Sequence, residues 1–341
     1  MSQIITLYNN KGGVSKTTTL FNIAVYLAIS GKKVLIADCD PQCNVTELFF
    51  ASSAYDDPDL DLPGTSIYEA LNPRFRGEVA RVDVQKVKLA QSNIYKNLYL
   101  LRGDLEFADA ERYFANAINQ AITENIHEKN TYLALNRLIT ELGESHNFDY
   151  ILCDVGPSAG AITQMVVLSC NAFLLPLIPD RFSNQAVRVL GRIVGEWIRR
   201  HSEIAKTFQP FGMEVFIGQP RFLGAINQNF KVHSGSSPKA SYERWGKKIS
   251  VTVKKSVLDN PLIPRAKNLT LNNVFVASIK DVGPLAPTAQ LMGRAIFDIQ
   301  QSDTEKASST GYKYYGVVWA NWVERMDDYK HEIEKIIKLL P

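Results

Sequence analysis

The sequence predicts an α/β protein: a doubly wound, mostly parallel sheet flanked by helices. Three observations lead there. Short apolar runs rich in β-branched residues recur at strand length, helix-length amphipathic segments lie between them, and the first strand, loop, helix and second strand follow within about 35 residues, as in a βαβ unit. The chain has 341 residues, 45% of them hydrophobic, enough to bury a sizeable core. One domain over residues 1–341 is expected.

Residues 4–9 (IITLYN) read as a buried strand. After a Gly-containing loop, Leu20, Ile23, Ala24, Leu27 and Ala28 recur at helical spacing, and Gly31 stands where a C-terminal cap belongs. VLIAD (34–38) is the second strand and ends in a carboxylate. Further strands are expected at 150–154, 173–179, 221–226 and 274–279, with helices at 131–143, 161–170 and 184–201. Segments near 51–95 and 231–260 interrupt this alternation and read as surface insertions. The last helix, near 317–340, carries Ile333, Ile336, Ile337 and Leu340 on one stripe. That stripe could dock on the core, as Trp319, Trp322 and Val323 upstream suggest, or lie on a membrane; Glu332 and Glu334 dilute the basic face that a membrane helix would need.

Several classes are excluded as expectations. No apolar run approaches the length of a membrane span, and the first residues lack the charged-then-apolar order of a signal peptide. Four cysteines in a chain this long do not make a disulfide framework and read as reduced thiols, so a cytoplasmic location is expected. Cys39 and Cys43 have no second pair or nearby histidine to complete a zinc site.

The chemistry is concentrated in Lys11-Gly12-Gly13-Val14-Ser15-Lys16-Thr17-Thr18, between the first strand and the first helix. The general phosphate-loop pattern is G-x-x-x-x-G-K-S/T, with Ser15 standing where its second glycine would be. Glycines let successive backbone N–H groups turn toward phosphate oxygens, and the helix N-terminus adds its positive dipole end. Lys16 can reach the β- and γ-phosphates, and the Thr17 hydroxyl can ligate Mg²⁺. Asp38 and Asp40 end the second strand beside this loop, and alternation sends both side chains the same way. Asp38 could ligate the metal or support a ligand. Asp154 follows an apolar strand and suits holding Mg²⁺ through a water molecule. No glutamate follows Asp154, so slow, switch-like hydrolysis is expected. Gly156 and Gly160 would let the following segment move.

KGGVSKTT resembles the deviant Walker A motif of the ParA/MinD superfamily, KGGxxKT-S/T, whose extra leading lysine is matched by Lys11. VLIADCDPQCN (34–44) is similar to that superfamily's second motif, YILCDVGPSAG (150–160) to its Walker B segment, and VFVASIKDVGPLAPTAQ (274–290) to a late segment before the closing helix. The resemblance spans about residues 3–300 and implies a P-loop NTPase fold and a Mg²⁺-dependent ATPase with ATP and Mg²⁺ as cofactors. It implies that Lys11 reaches across an ATP-sandwich homodimer, that Asp40 serves hydrolysis, and that Asn227 contacts adenine; a turn asparagine is the other reading of Asn227. Closest are the ParA-like partition ATPases, which work with ParB-like adaptor proteins on plasmid, chromosome or other cargo. The alternative is a MinD-like membrane-cycling ATPase.

The net charge of +3 hides an asymmetry. Residues 1–180 carry 14 Lys/Arg against 21 Asp/Glu, whereas residues 181–300 carry 18 against 7. Such a split suits a polyanion, although a solvated basic face is the other reading. Arg199 and Arg200 on one helix, and Lys247, Lys248, Lys254 and Lys255 around a β-like VTV run, are the candidates for sequence-independent contact with DNA phosphates. By resemblance, that contact would make the protein nucleoid-associated.

Overall fold

Continuous apolar strands need cover on both faces, and that requirement organises the molecule. The computed structural model describes residues 1–51, 62–230, 240–267, 269–308 and 311–341. The chain runs β1 (Gln3–Leu7), α1 (Lys16–Ile29), β2 (Val34–Asp38), α2 (Asn44–Phe50), α3 (Ile67–Phe75), β3 (Ala90–Gln91), β4 (Leu98–Leu101), α4 (Ala110–Gln120), α5 (Ile126–His146) and β5 (Tyr150–Asp154). It continues with α6 (Ala161–Ser169), β6 (Ala172–Leu177), α7 (Arg181–Lys206), β7 (Arg221–Phe230), α8 (Ala240–Val253), β8 (Phe275–Lys280), α9 (Leu285–Met292), α10 (Gln301–Ala307) and α11 (Gly316–Ile337).

Among the described residues, eight strands form one sheet in the order β3-β4-β2-β5-β1-β6-β7-β8. Of these described strands only the short edge strand β3 is antiparallel to its neighbour. This is the doubly wound α/β arrangement that the sequence predicts. Every residue of β2 and β6 is buried. One face packs Phe114, Tyr132, Leu138 and Trp197 from α4, α5 and α7. The other packs Leu20 and Phe21 of α1 with Trp322, Ile333 and Ile336 of α11.

The closing helix is therefore docked. Ile333 and Ile336 are fully buried, and Tyr26 of α1 donates a hydrogen bond to Glu334 at 3.2 Å. Among the described residues no helix is long and apolar enough to cross a membrane.

Two expectations need correction. The VTV run at 251–253 is helical and lies in α8. Ile249, Val253 and Val257 recur at a spacing of four and are fully buried, so packing against α7 overrides the β-preference of branched side chains. Gly191 of α7 permits the contact, because a Cβ there would collide with the Ser256 carbonyl. The stretch near 51–95 is only partly a surface insertion. Residues 52–61 lie outside the described residues, but α3 buries Ile67, Leu71 and Phe75, and β3 extends the sheet. Of the stretch near 231–260, residues 231–239 lie outside the described residues and the remainder forms α8 and the turn after it.

Candidate nucleotide-binding site

The carboxyl ends of β1, β2 and β5 open onto a cleft of about 650 Å³, a size that suits a nucleotide. Its floor is the loop Gly12–Thr18. Gly13 (φ 70°) and Ser15 (φ 56°) both adopt the left-handed region, and Ser15 caps α1 without a side-chain hydrogen bond. The backbone thus keeps a glycine-like conformation at Ser15, at a cost of about 1 kcal/mol. Asn9 braces the loop: its amide donates to the Pro176 carbonyl at 2.7 Å, and its side-chain oxygen accepts from the Lys11 N–H at 3.0 Å.

Lys16 is 7% exposed. Burial lowers its pKa, and Asp154 and Asp40 pull it back up. Asp154 is fully buried, and neither carboxylate oxygen has a hydrogen-bond partner. Burial pushes its carboxyl up to about 8, with Asp38 adding to the shift while Thr17 and Lys16 oppose it. A buried carboxylate with unused lone pairs beside a hydroxyl fits a divalent cation, and hard cations take oxygen ligands.

Asp38 is engaged differently. One oxygen accepts from the Thr46 N–H (3.1 Å) and hydroxyl (2.6 Å), and the other accepts from the Asp40 N–H at 3.2 Å. Burial pushes its carboxyl up to about 7, against these donors. The side chain thus organises the β2–α2 turn that presents Asp40. Asp40 lines the cleft, and its Oδ1 accepts from the Gln42 N–H at 3.1 Å. A Cβ on Gly156 would lie 2.9 Å from that oxygen, so this position tolerates only glycine without movement. Pro157, from the same segment, lies against Gly12.

Lys11 is at the rim rather than in the cleft. Its ammonium pairs with Asp180 at 2.5 Å and reaches Ser183 at 3.3 Å, and it remains 26% exposed. Asp180 also caps α7 by accepting from the Ser183 N–H at 2.7 Å. Burial acts to raise the Asp180 pKa, but Lys11 and the Ser183 N–H hold it below the usual carboxylate range. Asn227 is not part of the cleft wall. It pairs in β7 with Leu177 and Ser278, and its side-chain oxygen is buried without a partner. Gln290 and Leu291 of α9 close the cleft instead. Sequence reasoning missed these two and Asp180; for Asp180, a carboxylate immediately before a helix was the available signal.

The basic candidates separate into engaged and available groups. Arg199 is held by Glu196 and Glu203, and Arg200 donates to the Ile118 carbonyl and Asn119. Lys254 pairs with Asp259 at 2.6 Å. Lys247, Lys248 and Lys255 are exposed. A groove of about 630 Å³ between α7 and α8 gathers Lys247 and Lys248 with Arg181, Arg188 and Trp245, and Lys248 lies 4.8 Å from the Trp245 ring centre.

A phosphate loop at the carboxyl edge of a parallel sheet, with Lys16, Thr17 and Asp154 converging on it, defines a P-loop ATPase. Residues 2–206 match the AAA domain family. The chain belongs to that family, as a ParA/MinD-type ATPase. It is 26% identical over 191 residues to the chromosome-partitioning ATPase Soj of Treponema pallidum, covering 56% of this chain and 62% of that one. It is 27% identical over 177 residues to the sporulation initiation inhibitor protein Soj of Bacillus subtilis, covering 52% and 58%. The matched stretch thus spans about three fifths of these curated relatives. The ATP complex of McdA from Cyanothece superposes with a TM-score of 0.59 over 98% of this chain and 96% of that one, at 17% identity, a likeness of fold.

Lys16→Ala is expected to weaken ATP binding about ten- to hundred-fold, because hydrogen bonds to charged groups contribute about 1.5–3 kcal/mol. Titration with a fluorescent ATP analogue measures this; unchanged affinity would put the nucleotide elsewhere.

Proposed function

We propose that this protein is a slow, Mg²⁺-dependent ATPase that closes into a dimer around two ATP molecules, binds DNA without sequence preference and positions a plasmid, chromosome region or other cargo. The observation that carries the reading is the pair of lysines on one loop: Lys16 inside the cleft and Lys11 outside it, held by Asp180. A lysine on the rim, once exchanged from Asp180, can serve a phosphate that its own cleft does not present to it. The family membership and the Soj relatives support the positioning role.

In this reading the Gly12–Thr18 backbone cradles the phosphates, and Lys16 offsets their charge. Thr17 and Asp154 would hold Mg²⁺, which neutralises charge developing on the phosphate oxygens. Asp38 fixes the turn, and Asp40 orients the attacking water from the cleft wall. Asp40→Ala is expected to retain ATP binding while hydrolysis falls by about a hundred-fold or more, the usual scale for losing a positioned acid–base group. Phosphate release at saturating ATP tests it; parent-like turnover would move the catalytic role away from Asp40.

For DNA, the α7–α8 groove supports contact through Arg181, Arg188, Lys247 and Lys248, with Lys255 nearby in sequence. Arg199, Arg200 and Lys254 are already satisfied within the protein and are the weaker candidates. ATP-dependent dimerisation would join two grooves into one multivalent surface. A ParB-like or other adaptor would couple that surface to cargo, and the protein would then be nucleoid-associated. Fluorescence anisotropy on random and AT-rich duplexes is expected to show equal, ATP-dependent binding that weakens steeply with salt. Lys247→Glu with Lys248→Glu should abolish it, and Arg199→Ala should leave it nearly unchanged. Binding that ignores nucleotide and salt would reduce the groove to solvated surface.

A further inference from the structure

Glu111, on α4, does something that the phosphate-loop chemistry does not require. Its carboxylate accepts from two backbone N–H groups in the first turn of α6, Ala161 at 2.5 Å and Ile162 at 3.0 Å. Those amides are among the donors that a helix start leaves unpaired, and the cap residue Gly160 has no side chain to satisfy them. Gly160 also makes room, because a Cβ there would collide with the Glu111 carboxylate. Its φ of −77° and ψ of −178° are open to any residue, so the steric relation to Glu111 is what glycine serves here.

The segment clamped in this way runs from Asp154 to α6. Its near end is fixed in the sheet, where Asp38 pairs with Asp154. In its middle, Val155 and Pro157 line the cleft and Gly156 abuts Asp40. Its far end rests on Glu111, and Ser158 adds a hydrogen bond to Thr163 at 2.8 Å. A chain this short, held at both ends, has its middle set by where those ends sit.

We propose that Glu111 is a positioning residue for ATP hydrolysis: it fixes the far end of the 155–160 segment so that Gly156 and Pro157 hold Asp40 and the phosphate loop in register. The proposal rests on the hydrolytic reading above. Glu111 does not line the cleft, so its loss acts on turnover rather than on ATP binding. Charge-assisted hydrogen bonds at a helix N-terminus are strong enough for such control.

The test is a double-mutant cycle with Glu111→Ala and Gly160→Ala, and with Glu111→Gln as the conservative variant. ATP turnover (kcat and KM) is measured well below each variant's Tm. Both alanine variants are expected to lose on the order of ten-fold in kcat, with KM nearly unchanged. The double variant should be no slower than the slower single variant, because Gly160→Ala acts by displacing Glu111. Glu111→Gln, which keeps one acceptor and loses the charge, should fall between parent and Glu111→Ala. Parent-like kcat in the single variants, with only Tm lowered, would leave Glu111 as a structural cap and overturn the proposal. Multiplied losses in the double variant would also overturn it, by separating Gly160 from Glu111. Failure of the parent itself to hydrolyse ATP would instead overturn the hydrolytic reading, and this proposal with it.

Discussion

Two buried carboxylates at the ends of neighbouring strands are the constraint on which the rest of the site depends. Asp38 and Asp154 are register partners on β2 and β5, and both are fully buried. Burial raises the pKa of both, and Asp38 raises that of Asp154 further, because like charges in a low-dielectric interior resist joint ionisation. The protein answers the two charges unequally. Asp38 is given three donors by the β2–α2 turn. Asp154 receives none from its own turn, and only Lys16 and Thr17 of the phosphate loop answer its charge. That inequality separates a scaffold carboxylate from one poised for a cation, on the same sheet edge.

Close approach follows from the same constraint. Asp38 can be enclosed because Gly103 lacks a side chain; a Cβ there would lie 2.7 Å from its Oδ2. Gly156 does the same beside Asp40. The P-loop, the β2–α2 turn and the segment after β5 therefore meet without intervening side chains, and a movement in one is felt by the others. Lys11 stands outside this packed centre. Its partner Asp180 begins α7, the helix that forms one wall of the basic groove, so rim and groove are built on one rigid element.

Much of this was legible in the sequence because phosphate chemistry demands contiguous residues. The first strand, loop and helix, the position of Asp40 and the position of Asp154 follow from patterns a few residues long. Contacts assembled from distant segments left no such trace: Asp180 holding Lys11, Glu111 capping α6, and Gln290 with Leu291 closing the cleft. Branched residues misled at 251–253, where burial against α7 outweighs intrinsic β-preference. Charge counting alone does not show that Arg199 is paired; its acidic neighbours Glu196 and Glu203 stand three and four residues away, the spacing at which helical ion pairs form. Asp38 was ambiguous for a physical reason: its hydrogen-bond partner Thr46 reaches it from the next helix.

We propose that ATP converts a monomer with its rim lysine tied to Asp180 into a sandwich dimer. Molar mass by light scattering, measured on the full chain with Mg²⁺ and ATP, with Mg²⁺ and ADP, and without nucleotide, tests it most directly. Twice the monomer mass of 38.2 kDa is expected with ATP alone, and the monomer mass in the other two conditions. A single mass in all three would contradict it.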